Sequence, residues 1–161
     1  MGTYDESSLS DMIMKYSSMI LRIAVQNTND FYVAEDITQE VFIKLMTCKK
    51  AFDNENYVKA WLIKVTLNMC KNHTKSSWRK RTVSIQEREA TQFFVLPEDR
   101  YIFELIMKLP DKYKNVLYLY YYEEYTVPEI AELLDKKINT ISTWLRRARI
   151  ELKKMRRNSD G

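Results

Sequence analysis

Residues 126–155 read TVPEIAELLDKKINTISTWLRRARIELKKM, and their spacing decides the C-terminal architecture. Ile130, Ala131 and Leu134 recur at helical spacing in a short segment opened by Thr126, Val127 and Pro128. Thr126 is a plausible N-cap, and Pro128 is tolerated in a first turn because its missing N–H would have no helical partner there. Asp135 to Lys137 then reads as a turn, and a longer helix follows with Ile138, Ile141, Leu145, Ala148, Leu152 and Met155 inward. Two helices joined by a tight turn, the second far more basic than the first, form the pattern of a helix-turn-helix. The inward set leaves Asn139, Ser142, Thr143, Arg146, Arg147 and Arg149 outside or flanking. Small polar side chains near a helix start approach base edges closely, and arginines further along reach phosphates or guanine. An ordinary helical hairpin with a solvated basic face has the same period. Trp144 can pack on DNA or cover the outer edge of the core.

Working outward, 161 residues that are 45% hydrophobic suffice for one domain or two small ones. Two glycines and three prolines provide too little turn chemistry for a sandwich, a barrel or a phosphate-cradling loop, so the expected class is all-α. One histidine, His73, and two separated cysteines, Cys48 and Cys70, do not fill a zinc shell, and neither metal nor cofactor is expected. With no long apolar run and no secretory leader, the expected location is a reducing cytoplasm, without membrane insertion. The net charge is only +4, but residues 136–157 hold nine basic residues against Glu151 alone. A second basic block spans residues 71–81, with Lys71, Lys75, Arg79, Lys80 and Arg81. Two basic stretches on an otherwise acidic chain point to a polyanion touched at two places.

In the first half, Leu9, Met12, Ile13, Tyr16, Ile20, Ile23 and Ala24 mark one amphipathic helix ending near Gln26. After a polar break at residues 27–30, Val33, Ala34, Ile37, Val41, Phe42 and Leu45 mark a second. A loop around Asp53 and Asn54 precedes a third helix from about Tyr57, with Val58, Trp61, Leu62, Val65 and Met69 in register. From Lys75 to Pro97 the periodicity fades, as in a linker. It resumes at Tyr101, Ile102, Leu105, Ile106 and Leu109, breaks at Pro110-Asp111, and restarts at Tyr113, Val116, Leu117 and Tyr120. A tyrosine cluster, Tyr113 to Tyr125, reads as core plus a partly exposed surface.

The string LPDKYKNVLYLYYYEEYTVPEIAELLDKKINTISTWLRRARIELKKM resembles the C-terminal promoter-binding domain of bacterial sigma factors of the extracytoplasmic-function (ECF) group, within the sigma-70 family. YSSMILRIAVQNTNDFYVAEDITQEVFIKLM resembles the group's domain two, and AWLIKVTLNMCKNH its promoter-melting helix. The resemblance implies two small helical domains joined by a flexible linker: residues 5–80 (domain two), 81–98 (linker) and 99–157 (domain four). It also implies an alternative initiation factor that binds core RNA polymerase, directs it to promoter DNA, is held inactive by an anti-sigma factor and is no enzyme. On this basis Asp36, Gln39 and Glu40 face the polymerase clamp. Asn54, Asn56 and Tyr57 occupy the loop that captures a flipped base of the -10 element, with Asn54 or Asn56 reading its edge. Lys64, Asn68, Lys71, Asn72 and Lys75 continue as a basic track, extended by Arg79 and Lys80. Asn139, Ser142, Thr143, Arg146, Arg147 and Arg149 fall to the -35 element.

The chain departs from the family pattern at Asn139, where glycine is common, at Trp144, where a basic residue is common, and at Asp135-Lys136-Lys137, a turn usually opened by glycine. The alternative reading is a stand-alone helix-turn-helix regulator acting as a dimer. An enzyme would need a nucleophile paired with a base, a glycine loop or a metal shell, and the sequence offers none.

Overall fold

The computed structural model describes residues 6–48, 52, 54–76 and 100–160, and among these it contains helices and no strands. In chain order these are α1 (Glu6–Thr28), α2 (Phe31–Thr47), α3 (Glu55–Ser76), α4 (Arg100–Met107), α5 (Asp111–Tyr121), α6 (Val127–Leu134) and α7 (Ile138–Asp160). They belong to two compact units, Met1–Phe94 and Val95–Gly161. The stretch expected to link them, residues 81–98 together with Arg79 and Lys80, lies outside the described residues.

In the first unit α1, α2 and α3 pack against one another. The break between α1 and α2 has a clear local cause. Asn29 takes a left-handed conformation (φ 56°) and its N–H donates to the Val25 carbonyl at 2.8 Å, ending α1. Asp30 then caps α2, its side chain accepting from the Val33 N–H at 3.1 Å. Helix α1 therefore runs to Thr28, two residues past the expected Gln26. The expected face of α2 is the buried one, with Ala34, Ile37, Val41, Phe42 and Leu45 inside and Val33 at the rim.

Helix α3 departs from its expected register. The buried row is Val58, Leu62, Ile63, Thr66 and Cys70, while Trp61, Val65 and Met69 are half-buried along the edge. Thr66 is fully enclosed because its hydroxyl donates to the Leu62 carbonyl at 2.7 Å, which satisfies the one polar group that burial would strand. A polar residue made apolar by its own backbone is invisible to a hydropathy count.

The second unit is organised around α7, which contacts α4, α5 and α6. Its inner row, Ile141, Leu145 and Ala148, is buried together with Leu105 and Ile106 of α4, Leu109 between α4 and α5, Val116, Leu117, Tyr118 and Leu119 of α5, and Ile130, Ala131 and Leu133 of α6. Lys114 is buried too, its ammonium 3.0 Å from the Asp111 carboxylate one turn earlier. Contrary to expectation, Ile138 is not inward: it is 52% exposed. It opens the helix directly after the turn, so extending the apolar register to the first residue over-counted the core by a turn. Tyr101 and Ile13, also expected inward, are exposed as well.

Thr126 and Glu129 form a reciprocal capping box on α6. The Glu129 N–H donates to the Thr126 hydroxyl at 3.3 Å, and the Thr126 N–H donates to the Glu129 carboxylate at 3.0 Å. Thr126→Ala is expected to cost about 1 kcal/mol, read as a shift in the chemical-denaturation midpoint. The backbone N–H and then the hydroxyl of Thr126 hold the Glu129 carboxyl below the usual carboxylate range. Its pKa is lower folded than unfolded, so its contribution is present above the unfolded carboxylate range and is lost as pH falls through the folded value. Accordingly, the stability gap between wild type and Glu129→Gln is expected to close on acidification below about pH 4.

At the other end of α6, Asp135 adopts φ 55°, ψ 51°, the left-handed region where glycine is usual, and its N–H bonds the Glu132 carbonyl at 3.2 Å. Aspartate is among the few residues that enter this region at small cost, so the turn survives without glycine.

Candidate nucleic-acid and partner interfaces

On α7, Asn139, Ser142, Arg146 and Arg147 are exposed and Thr143 is half-buried. Their spacing of three and four places them on the side opposite Ile141, Leu145 and Ala148, with Lys136 and Lys137 exposed in the preceding turn. The result is a polar helix start followed, within one to two turns, by paired guanidiniums. Trp144 is on the packed flank, half-buried, with the Lys112 ammonium of α5 5.6 Å from its ring centre. It covers the edge of the core and does not belong to the outer face.

Arg149 is exposed yet engaged within the unit. Its Nε donates to the Tyr121 hydroxyl at 2.7 Å, and its guanidinium lies over the rings of Tyr120 and Tyr121 at 5.4 and 5.5 Å. The tyrosine cluster divides as its pattern suggests. Tyr118 is buried, stacks on Tyr122 at 5.5 Å and donates its hydroxyl to Glu123 at 2.7 Å, whereas Tyr121 and Tyr122 are exposed. Burial, reinforced by the charges of Glu123 and Glu129, pushes the Tyr125 hydroxyl up to about 12, so it stays protonated at neutral pH.

In the first unit the expected base-capturing loop is in part helix. Helix α3 begins at Glu55, so Asn56 and Tyr57 stand exposed in its first turn, where a loop was expected. Asn54 precedes the helix and works as its cap, accepting from the Tyr57 N–H at 3.2 Å. Glu55 is fastened to α1 by Lys15 and by the Tyr16 hydroxyl at 2.9 Å, and these two bonds hold its carboxyl below the usual range. The start of α3 is thereby fixed to α1.

Residues 57, 64, 68, 71 and 75 recur at intervals of three, four and seven and so share one stripe of α3. Of these, Tyr57, Lys64, Asn68 and Lys71 are exposed. Eighteen residues of helix span about 27 Å, the length of several nucleotides of strand. Asn72, four residues from Asn68 and three from Lys75, is exposed at the edge of this stripe. It lines an open groove of about 430 Å³ between α2 and α3, together with Asp36, Glu40, Lys44, Met69 and His73. The groove thus brings together two residues expected at a polymerase contact and one expected on DNA. Gln39 is exposed beside them on α2 but does not line the groove.

The sequence reading did not single out Tyr32, Ile43 and Met46, which are exposed on the same side of α2 as Asp36, Gln39 and Glu40. Ile43 is 56% exposed although a branched apolar side chain is costly to leave in water. Its mismatch with the buried register Val41, Phe42, Leu45 is the signal that could have found it. A surface pairing carboxylates with apolar residues has the composition of a protein-binding patch.

Comparison with known proteins follows the same division of the chain. The family profile for Sigma-70 region 2 matches residues 12–80, and that for Sigma-70, region 4 matches residues 99–152. The ECF RNA polymerase sigma factor SigW of Bacillus subtilis (strain 168) is 29% identical over 175 residues, covering 96% of this chain and 91% of that protein. The RNA polymerase sigma factor YlaC of the same organism is 27% identical over 162 residues, covering 91% of each. In fold, the chain is similar to the sigma factor RpoE from Bartonella quintana, solved in complex with the anti-sigma factor NepR. The TM-score is 0.69 at 14% identity, over 92% of this chain and 96% of that one. CnrH, solved with the cytosolic domain of CnrY, gives a TM-score of 0.68 at 18% identity, over 98% and 92%. Among the described residues no helix is long and apolar enough to cross a membrane.

Proposed function

The chain belongs to the sigma-70 family of bacterial RNA polymerase sigma factors, in its ECF group, and from that premise we propose how its two units divide the work of an alternative initiation factor. The observation that carries the reading is the presence of both regions, in order, in one chain, each on its own helical unit with its own charged face.

Domain two, residues 5–80, docks on core polymerase through Asp36, Gln39 and Glu40, with Ile43 and Tyr32 supplying apolar contact. Oriented carboxylates steer association with a basic clamp surface, and the apolar side chains slow its release. Melting at the -10 element needs cations for the strand backbone and surfaces for unstacked bases. Tyr57, Lys64, Asn68, Lys71 and Lys75 form that track. Because the Asn54 oxygen is used as a helix cap, Asn56 is the amide assigned to the flipped base.

Domain four, residues 99–157, reads the -35 element. Asn139, Ser142 and Thr143 at the start of α7 approach base edges, and Arg146 and Arg147 reach guanine or phosphate. The protein performs no covalent chemistry of its own and works in the cytoplasm, where the polymerase and the promoter are. An anti-sigma factor that covers the polymerase-facing surfaces would hold it inactive, as the complexes of RpoE with NepR and of CnrH with CnrY suggest.

Run-off transcription on genomic fragments by core polymerase, with and without the purified chain, tests the reading. New start sites that appear only with the chain are the expected result. An unchanged transcript pattern would overturn it.

A further inference from the structure

The aromatic pair at the C-terminal end of α5 has no role in the account above, yet it holds one of the basic residues of α7 in a defined place. We infer that Tyr121, backed by Tyr120, is a positioning residue that fixes Arg149 as a phosphate contact of duplex promoter DNA; this rests on the reading that α7 faces the -35 element.

An exposed arginine ordinarily has rotamer freedom that a phosphate contact must freeze out. Here the freezing has already happened. The two rings meet edge to face, 5.0 Å apart at 75°, and the guanidinium lies over both. The 2.7 Å bond from Nε to the Tyr121 hydroxyl uses one of the five guanidinium N–H groups. The other four, on the terminal nitrogens, are the set that bridges two phosphate oxygens. Among the described residues the contacts that hold Arg149 are with tyrosine rings and a hydroxyl and involve no carboxylate, so the stacking leaves its charge open to an incoming phosphate.

Position along α7 selects phosphate over base. Arg149 stands eleven residues beyond Ile138, about 16 Å along the axis. A recognition helix that enters the major groove by its N-terminal end meets base edges in its first two turns. The groove is only about 8.5 Å deep, so a residue 16 Å back lies level with the sugar-phosphate wall. Arg149 also lies seven residues from Ser142, on the same flank of the helix, which keeps it on the side turned toward DNA. Neighbouring charge is consistent: Arg146, Arg147, Lys153 and Arg156 are exposed around it.

The test measures holoenzyme binding to a promoter fragment obtained by start-site mapping, across a salt series, for Tyr121→Phe, Arg149→Ala, the double variant and Arg147→Ala. Arg149→Ala is expected to weaken binding about tenfold, equally across -35 variants, and to lower the slope of log affinity against log salt by about one. Tyr121→Phe is expected to weaken binding about threefold with the slope and the thermal midpoint unchanged, and to have no further effect in the Arg149→Ala background. An equal loss from Tyr121→Phe in both backgrounds would overturn the inference by making its role structural. If Arg147→Ala weakens binding and Arg149→Ala does not, the inference fails while the reading of α7 stands. If neither arginine matters, the reading of α7 fails and takes the inference with it.

Discussion

The double charge reversal Asp36→Lys with Glu40→Lys is expected to lower the affinity of the chain for core polymerase at least about a hundredfold. Both side chains are exposed on the outer face of α2, opposite Ala34, Ile37 and Val41. On the proposed docking face each reversal would replace an attraction to a basic clamp surface by a repulsion, and like charges forced together at an interface cost several kcal/mol. Two decades of affinity require only about 2.8 kcal/mol, or 1.4 per position. The helix itself loses little. The Asp36–Glu40 spacing already sets like charges four residues apart, and the four-residue spacing of Glu40 and Lys44 is worth at most a few tenths of a kcal/mol. Far-UV circular dichroism should therefore be unchanged while co-elution with core polymerase disappears. Glu35→Lys supplies the control: it alters an exposed charge on the same helix but on a different flank, and near-wild-type retention is expected. Equal losses from Glu35→Lys and from the double variant would mean that net charge, and no particular face, attracts the polymerase.

Leu145→Ala is expected to destabilise the C-terminal unit by about 2–5 kcal/mol. Leu145 is fully enclosed in the inner row of α7, between Ile141 and Ala148. Removing its isopropyl group forfeits the transfer term and leaves a cavity in a core shared by α5, α6 and α7. A unit of this size has only a few kcal/mol of stability, so the loss lowers its melting midpoint by roughly 10 °C or more. Hydrogen exchange should accelerate throughout residues 111–157 and leave α1 to α3 protected. Ile150→Ala removes a similar side chain from an exposed position of the same helix and is expected to stay within about 0.5 kcal/mol of wild type. A cost for Ile150→Ala comparable to that of Leu145→Ala would contradict the assignment of the inner face.

Much of this architecture was legible in periodicity alone, because α2, α6 and most of α7 keep apolar residues on one face and polar residues on the other. The capping box was equally legible, since threonine followed three residues later by glutamate has a local mechanism. The register of α3 was not. Apolar residues fill two adjacent rows, and the buried row contains Thr66, whose polarity is cancelled by its own backbone bond. The start of α3 escaped for a related reason. Asn54, a loop-former by type, is a cap by position, and it draws Asn56 and Tyr57 into the helix. Of the candidate site, residue identities on α7 could be read from spacing, but the engagement of Arg149 by Tyr121 could not. That contact joins residues 28 apart and depends on how α5 crosses α7. The same holds for the groove that sets Asn72 beside Asp36 and Glu40.

The central claim is that polymerase and promoter are held together by this one chain. Mobility of a mapped promoter fragment, with core polymerase and the full chain added singly and together, tests it most directly. The account predicts a transcription-competent complex that forms only when all three are present, with weak, strongly salt-dependent binding of the chain to DNA by itself. A chain that shifts a palindromic site tightly as a dimer, with no contribution from polymerase, would contradict it.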